Sequence, residues 1–175
     1  PFGLKMEDYY KKDLKYPEEM QQYVALTDGQ RGLFKGRQRI YDTNICMSNK
    51  EARRIMAKAV ADYATNHRNV DYLHVWLADF WNNQCECEVC RQKLPSDWYI
   101  ALMNDIDTEL TARQLPTRIV FICYTETIFA AKDIKLENPA RFSMLFAPIT
   151  RNYVESPSPT PVKYERKPYV RNKIH

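Results

Sequence analysis

The sequence predicts an α/β fold built from parallel β/α units. Predicted helices alternate with predicted strands along the chain, which is the pattern of a parallel sheet connected by helices. The predicted strands are apolar on both sides, as expected for strands covered on both faces. With 175 residues, 45% of them hydrophobic, the chain can bury one core but is shorter than the ~250 residues of a closed eight-stranded barrel. These observations leave two options open, a small open sheet or part of a larger barrel.

The predicted helices follow from caps and apolar spacing. A short helix is expected to begin at Pro17, and the Asp28-Gly29 turn signal ends it. Ser48 with Glu51 three residues later forms a capping box for a second helix, which ends near residues 66–67. A third helix begins at Ser96, with an apolar stripe at helical spacing: Tyr99, Leu102, Met103, Ile106 and Leu110.

The predicted strands are three apolar runs, at residues 70–78, 118–124 and 142–147, with a weaker candidate at 38–41. Pro148 ends the last strong strand, and the chain becomes proline-rich after Tyr153. We therefore divide the chain into an α/β domain at residues 1–155 and a proline-rich loop or tail at 156–175. His74 lies within the first strong strand, where a hydrogen-bonded core histidine is expected.

The charge distribution argues against a nucleic-acid partner, and the hydropathy argues against a membrane span. The formal charge is +4, with 26 basic and 22 acidic residues, and the basic residues are interspersed with acidic ones until the C-terminal tail. Nucleic-acid binders usually carry a clustered basic face, so no nucleic acid is expected as a partner. No apolar run approaches the ~20 residues of a transmembrane helix, so no membrane span is expected. An aromatic content of 13% suits either a carbohydrate-binding surface or ordinary packing.

Polar and aromatic residues follow the ends of the strong strands, where parallel α/β folds bind ligands. The candidate ligand-binding residues are Trp81, Asn82, Asn83, Tyr124, Arg151 and Tyr153. Asp79 and Glu126 are the acidic residues immediately at these strand ends, and glycosidic cleavage requires two such carboxyl groups. The alternative is that Asp79 caps its loop and Glu126 is solvated. The set suits a polyhydroxylated ligand, because aromatic faces pack on sugar C–H surfaces while polar groups bond the hydroxyls.

Cys85, Cys87 and Cys90 form a CxCxxC run, whose thiolates are able to surround one tetrahedral zinc ion. The fourth ligand would be Cys46 from another loop, or a histidine such as His67. A disulfide within the run, or free thiols, are the alternatives. Cys123 lies in an apolar strand and is expected in the core.

Four blocks of the sequence, YPEEMQQYVALTDGQR, NICMSNKEARRIMAKAV, WLADFWNNQCECEVC and APITRNY, resemble successive parts of an uncharacterised bacterial domain family. That family is placed among the glycoside-hydrolase TIM barrels, near the α-glucuronidases and β-hexosaminidases. The resemblance implies a partial (β/α)8 TIM barrel within a larger bacterial protein, exported to the periplasm or cell surface. The paired Asp-Glu of the hexosaminidases is absent, because Phe80 follows Asp79.

The resemblance implies a glycoside hydrolase-like domain that acts on or binds complex polysaccharide. Asp79 and Glu126 would supply the acid and the nucleophile or base, with no cofactor required, and Trp81 and Tyr124 would be sugar platforms. Arg151 suits a uronic acid, because its guanidinium matches a carboxylate. One alternative is a non-catalytic carbohydrate-binding or scaffold domain on a degenerate barrel. A weaker one is a zinc-braced protein-interaction module that uses the proline-rich tail.

Overall fold

The computed structural model describes residues 16–31, 43–78, 83–149, 153–154 and 164–165. It is a mixed α/β structure with a three-stranded parallel sheet and a separate two-stranded hairpin. No helix in these ranges is both long and apolar enough to cross a bilayer. The α-helices and β-strands, in chain order, are α1 (Glu18–Gln21), β1 (Leu26–Thr27), β2 (Gln30–Arg31), α2 (Lys50–Asn66), β3 (Tyr72–His74), α3 (Pro95–Ala112), β4 (Arg118–Cys123) and β5 (Phe142–Phe146). In the same ranges, three short 3-10 helices lie at Cys90–Gln92, Thr125–Ile128 and Pro139–Arg141.

The parallel sheet has the strand order β3-β4-β5, which follows the order of the chain. Leu73 pairs with Ile119, and Ile119 pairs with Phe142, so these three side chains share one face. β4 and β5 end within one residue of the prediction. β3 is much shorter than the predicted strand at 70–78, because the segment after His74 leaves the ladder beyond a single bond from the Val75 N–H to the Val120 carbonyl.

α2 and α3 pack on the same face of the sheet and build the main core. The predicted stripe of α3 is buried in full, and α2 contributes Ala57, Ala61 and Ala64 from its inner side. Phe121 in β4 joins this core through edge-to-face contacts with Tyr99 and Phe142. Small residues on α2 allow the two helices to approach closely over the strands, while aromatic rings fill the space between α3 and the sheet.

The N-cap of α2 is Asn49 rather than the predicted Ser48. The Asn49 side chain accepts hydrogen bonds from the backbone N–H groups of Glu51 and Ala52. The Ser48 N–H instead donates to Cys90 Sγ, and the Ser48 hydroxyl contacts the same sulfur. The prediction was wrong by one residue, because a long-range contact occupies the groups that a cap would use.

The opposite face of the sheet carries exposed side chains. Tyr72, His74 and Trp76 alternate with the core residues Leu73 and Val75, and all three are exposed. The prediction of a buried core histidine at position 74 was therefore wrong, because period-two alternation directs this side chain away from the helices. Cys123, expected in the core, is partly buried and packs against it.

The N-terminal elements are short. α1 spans four residues after Pro17, and the chain then forms a hairpin whose two turn residues, Asp28 and Gly29, both have positive φ angles of 52° and 70°. This conformation is that of the tight turn for which Asp-Gly is favoured. Val24 makes an isolated antiparallel bridge with Ile45. The predicted strand at 38–41 lies outside the described residues.

The connection from β4 to β5 lies along α3 and is held there by polar side chains. Asp97 Oδ1 accepts hydrogen bonds from the backbone N–H groups of residues 132, 133 and 134, at 2.7–3.1 Å. Asn104 bonds the Lys135 carbonyl and the Glu137 N–H in the same way. Asp107, further along the helix, pairs with Arg141 at 2.7 Å. Within the described residues, this connection contains two short 3-10 helices but no α-helix, and side-chain to backbone bonds fix it on α3.

Candidate functional site

Four cysteines from two separate loops converge on one point. Cys46 precedes α2, while Cys85, Cys87 and Cys90 lie between β3 and α3. The Cys46 Sγ lies 3.6 Å from that of Cys85, 3.7 Å from that of Cys87 and 3.9 Å from that of Cys90. All four sulfurs are within 4.8 Å of one another, which makes the group able to hold a metal ion. We call these four residues the cysteine cluster.

The sulfur separations match a tetrahedral metal centre. Four sulfurs around zinc at about 2.3 Å would stand about 3.8 Å apart along each edge of the tetrahedron. The separations from Cys46, at 3.6–3.9 Å, cluster around that value. A disulfide would require about 2.05 Å, and the cysteines of the described residues are all free. The predicted set of four thiols is therefore brought together, with Cys46 rather than His67 as the fourth member.

Backbone N–H groups surround the cysteine cluster. The Leu26 N–H donates to Cys85 Sγ at 3.3 Å, and the Ser48 N–H donates to Cys90 Sγ at 3.3 Å. The Ser48 hydroxyl lies 3.1 Å from Cys90 Sγ. Four thiolates around a divalent cation carry a net charge of −2, so donors of this kind stabilise the charge and orient the ligands. The cluster thus has an outer shell of the type that metal-thiolate centres use.

The four thiols do not share one pKa. Hydrogen bonds from the thiols of Cys85 and Cys90 hold the pKa of Cys46 far below its usual range. The same bond with Cys46 raises the pKa of Cys85 to about 11, and bonds with Cys46 and Cys85 raise the pKa of Cys90. Burial raises the pKa of Cys87, but hydrogen bonds from Cys90 and Ser48 outweigh it and lower that pKa. Without a metal, these shifts favour a thiolate at Cys46 and protonated thiols at Cys85 and Cys90.

The cluster also fastens the β1–β2 hairpin to the loop before α3. The Glu86 N–H donates to the Leu26 carbonyl at 2.7 Å, and the Asp28 N–H donates to Glu86 Oε2 at 2.8 Å. At the other end of the loop, the Trp98 ring N–H donates to the Cys90 carbonyl at 3.0 Å. The cysteine cluster therefore connects the hairpin, the segment before α2 and the start of α3.

An aromatic groove lies at the carboxyl ends of the three parallel strands. It has a volume of about 520 Å³, and its walls are formed by Trp76, Leu77, Ile122, Tyr124, Phe146, Ala147, Pro148, Ile149 and Tyr153. Trp76 is 49% exposed, Phe146 56% and Tyr153 79%. Apolar surface on this scale in a concave site at the strand ends is typical of a ligand-binding position. We call it the rim groove.

The predicted ligand-binding residues have different positions. Tyr124 and Tyr153 line the rim groove. Asn83 is fully buried at 0% exposure, and its carbonyl accepts a hydrogen bond from the Asn44 side chain. Asn83 therefore supports the loop, because its carbonyl holds the side chain of Asn44. Four predicted residues lie outside the described residues: Asp79, Trp81, Asn82 and Arg151.

Glu126 lies just beyond β4, in a short 3-10 helix at residues 125–128, and is buried at 6% exposure. The preceding residue, Thr125, has a φ angle of +48°. A β-branched residue in this left-handed region is strained, and such strain is concentrated at functional sites. The solvated state considered for Glu126 is therefore wrong, because the carboxyl group is enclosed at the end of the central strand.

Sequence reasoning missed three residues of the site. Trp76 and Phe146 were assigned to buried strands, although the alternation of Tyr72, His74 and Trp76 with smaller apolar residues already indicated a separate face. Asn44 was not considered, although the sequence repeats the pattern Asn-x-Cys at positions 44–46 and 83–85. Both signals are short, and each becomes informative only when the partner segments are known.

A larger cleft, of about 650 Å³, lies near the start of α3, and its charged lining consists of Glu86, Arg91, Lys93, Asp97, Lys132 and Asp133. The three cations and three anions balance, and Lys93 pairs with Asp133 at 2.9 Å. Asp97 is already bonded to backbone N–H groups of the β4–β5 connection. The charges of the lining balance, so the cleft offers no excess charge for a ligand.

Comparison with known proteins places the chain in a family. No curated protein and no solved structure matches it significantly. A family model described as "Domain of unknown function (DUF4838)" matches residues 4–167, which is most of the chain. This description carries no activity. The chain therefore belongs to the DUF4838 family.

Proposed function

We propose that the chain forms part of a (β/α)8 barrel that binds complex polysaccharide at the rim groove. The observation that carries the proposal is the groove itself, where exposed aromatic side chains meet at the carboxyl ends of parallel strands. In a barrel this edge is the one at which active and binding sites are built. The proposal includes a larger bacterial parent protein, exported to the periplasm or cell surface.

The arrangement of helices and strands supports a barrel rather than a doubly wound sheet. β3, β4 and β5 lie side by side in chain order, and α2 and α3 cover the same face. A doubly wound sheet reverses its strand order so that helices cover both faces. A barrel keeps one order and encloses the other face. The exposed face that carries Tyr72, His74 and Trp76 would then be the barrel interior.

β5 provides a second support for the barrel. Its sequence, FSMLF, has no charged residue and no proline, although β5 is an edge strand within the described part of the chain. Met144 is 60% exposed, and Leu145 on the other face is also exposed. Apolar side chains on both faces are typical of an interior parallel strand, whereas edge strands usually carry charges or proline. We infer that a further strand pairs with β5 in the parent protein.

The lining of the rim groove favours a sugar as its ligand. Trp76, Tyr124 and Tyr153 present flat apolar rings together with polar ring atoms, and such rings pack on the C–H faces of sugar rings while bonding hydroxyls at their edges. Arg151 lies two residues before Tyr153 in the chain. In our proposal its guanidinium binds the carboxylate of a uronic acid, and Asn82 bonds sugar hydroxyls.

The binding proposal is tested by replacing groove aromatics one at a time. The probes are glucuronic-acid-substituted xylan and polygalacturonic acid, and binding is measured by affinity electrophoresis and calorimetry. Trp76→Ala and Tyr124→Ala should each weaken binding by about tenfold, as expected for a buried aromatic contact. The matched control is Tyr63→Ala, because Tyr63 on α2 is 48% exposed, like Trp76 at 49%, but lies away from the groove. Equal losses in all three variants would refute the proposal.

Hydrolysis is a second candidate function, favoured by the strained Thr125 beside the enclosed Glu126. In this proposal Glu126 and Asp79 divide the roles of acid and nucleophile or base. Glu126→Gln should abolish release of reducing sugar from glucuronic-acid-substituted xylan while binding survives, because the amide has the same shape but does not transfer the proton. Glu137→Gln, at an exposed position, is the control. Turnover that persists in Glu126→Gln, or binding without any turnover by the parent protein, would leave a non-catalytic binding domain.

We further propose that the cysteine cluster holds one structural zinc ion. The sulfur separations support zinc because they match the edges of a zinc-thiolate tetrahedron, and a closed set of four protein ligands leaves no position for substrate. Elemental analysis of the purified chain should give about one equivalent of zinc. Less than about a tenth of an equivalent, without chelator treatment, would reject the assignment.

A further inference from the structure

The cysteine cluster and a single asparagine side chain join the same two segments of the chain. Asn44 lies two residues before Cys46, and Asn83 lies two residues before Cys85. The Sγ atoms of the two cysteines are 3.6 Å apart, and Asn44 Nδ2 donates to the Asn83 carbonyl at 3.2 Å. A metal bound to both sulfurs would fix the distance between the two segments at residues 46 and 85. The hydrogen bond between Asn44 and Asn83, two residues earlier in each segment, would depend on that distance.

The other end of the same amide group bonds the segment that forms one wall of the rim groove. Asn44 Oδ1 accepts a hydrogen bond from the Ala78 N–H at 2.8 Å. Ala78 ends the segment that follows β3, and its two preceding residues, Trp76 and Leu77, line the groove. This segment no longer pairs with β4 as a strand, so its position depends on a few hydrogen bonds. One of them is the bond from the Ala78 N–H to Asn44, at the end of the segment.

The surroundings of Asn44 make its two side-chain bonds interdependent. Asn44 is buried at 5% exposure, and its backbone carbonyl accepts a hydrogen bond from the Ala25 N–H at 2.9 Å. The side-chain amide is planar, so its oxygen and nitrogen move together. If the Asn83 carbonyl shifts, the amide has to reorient or leave a buried donor unsatisfied, which is costly. Either response loosens the bond to Ala78.

We propose that Asn44 is a positioning residue that couples occupation of the cysteine cluster by a metal to the order of the rim groove. With zinc bound, the separation between residues 46 and 85 is fixed, and the Asn44 amide holds both Asn83 and Ala78. Without zinc, the contacts directly between Cys46 and Cys85 are weak sulfur–sulfur contacts, beside the backbone N–H bonds to Cys85 and Cys90. The segment around Asn83 then shifts, and the segment that carries Trp76 loses its hydrogen bond to Asn44. The coupling rests on the proposed metal, and it makes polysaccharide binding at the proposed site depend on that metal.

Hydrogen exchange at the Ala78 amide tests the coupling without any polysaccharide. The full chain is compared with one equivalent of zinc and after removal of zinc with a chelator. The Ala78 amide should exchange about threefold to tenfold faster without zinc, which corresponds to the loss of one hydrogen bond. The Val75 amide, which donates to the Val120 carbonyl in β4, is the internal control and should change little. Equal Ala78 exchange in both states would overturn the proposal.

Two variants separate coupling from a purely structural role. Asn44→Ala removes both bonds, so Ala78 should exchange fast with or without zinc. Asn44→Asp keeps an acceptor for the Ala78 N–H but has no donor for the Asn83 carbonyl. In this variant Ala78 should stay protected and should no longer respond to zinc, whereas a response equal to that of the unaltered chain would overturn the proposal. If either variant does not fold, the zinc comparison on the unaltered chain decides alone.

A ligand experiment distinguishes this inference from the proposed function. Removal of zinc should weaken binding of glucuronic-acid-substituted xylan by the same factor by which it accelerates Ala78 exchange. If Ala78 responds to zinc but neither acidic polysaccharide binds, the coupling stands and the proposed function fails. If xylan binds equally well with and without zinc while Ala78 exchange is unchanged, the function stands and the coupling fails.

Discussion

Metal binding at the cysteine cluster should depend steeply on pH, because protons and metal compete for the same sulfurs. The pKa of Cys85 is raised to about 11 by its hydrogen bond with Cys46, and the pKa of Cys90 is raised as well. Both groups are therefore protonated thiols between pH 6 and 8, and each has to release its proton when the metal binds. Cys46 has a strongly lowered pKa and releases none.

The number of protons released on metal binding sets how strongly the zinc dissociation constant depends on pH. Cys85 and Cys90 release two, and Cys87, whose pKa is lowered, releases between zero and one. The dissociation constant for zinc should then rise by about 100-fold to 1,000-fold for each unit by which the pH falls, since each released proton contributes a factor of ten per unit. Affinity is greatest at high pH and is lost as the pH falls.

Two measurements check this prediction. Competition with a chromophoric chelator at several pH values gives the slope of the logarithm of the zinc dissociation constant against pH. Calorimetry in two buffers of different ionisation enthalpy gives the number of released protons directly. Cys123→Ser is the control, because this partly buried cysteine is not a member of the cluster, and its slope should equal that of the unaltered chain. Release of about four protons at pH 7 would refute the reasoning, since it would mean that the cluster thiols titrate as ordinary cysteines.

Two further predictions concern stability and oxidation. Asp97→Ala should lower the free energy of unfolding by about 2–4 kcal/mol, because it removes a buried acceptor of several backbone N–H groups, whereas Asp133→Ala, in an exposed ion pair with Lys93, should cost less than about 1 kcal/mol. Urea unfolding checks both, and equal losses would contradict the role given to Asp97. Treatment with diamide should oxidise Cys46 and Cys85 to a disulfide only after zinc is removed, as shown by mass spectrometry of alkylated chain. Oxidation at the same rate with zinc bound would contradict the metal site.

The helices and strands were predictable where the pattern is local. The stripe of α3 and the apolar runs of β4 and β5 specify their own structure, because a helical or strand period is repeated over several residues. The strand at 70–78 was overestimated, because an apolar run does not reveal where a partner strand stops pairing. The cap at Ser48 was wrong because its groups bond to Cys90, which is 42 residues away along the chain.

The candidate site was predictable only in part, because some of its contacts join residues that are far apart in the sequence. The spacing of Cys85, Cys87 and Cys90 indicates a common centre by itself, but the sequence left the fourth ligand open between Cys46 and a histidine such as His67. The role of Asn44 was not accessible, since its two side-chain partners lie 34 and 39 residues away. Pairing of this kind depends on the path of the folded chain and leaves almost no local pattern.

The position of the cysteine cluster gives the proposed metal a structural role in this part of the chain. The hairpin that it joins is small, with two strands of two residues, and it buries too little apolar surface to be stable alone. Its local core consists of Ala25 together with three of the cluster cysteines themselves, Cys46, Cys85 and Cys90. The main core, by contrast, is formed by α2, α3 and the parallel sheet without these cysteines. Loss of metal should therefore release the hairpin and the segments around Asn44 first and leave the helix-sheet core folded, which places the effect of the metal at the end of the sheet where the rim groove lies.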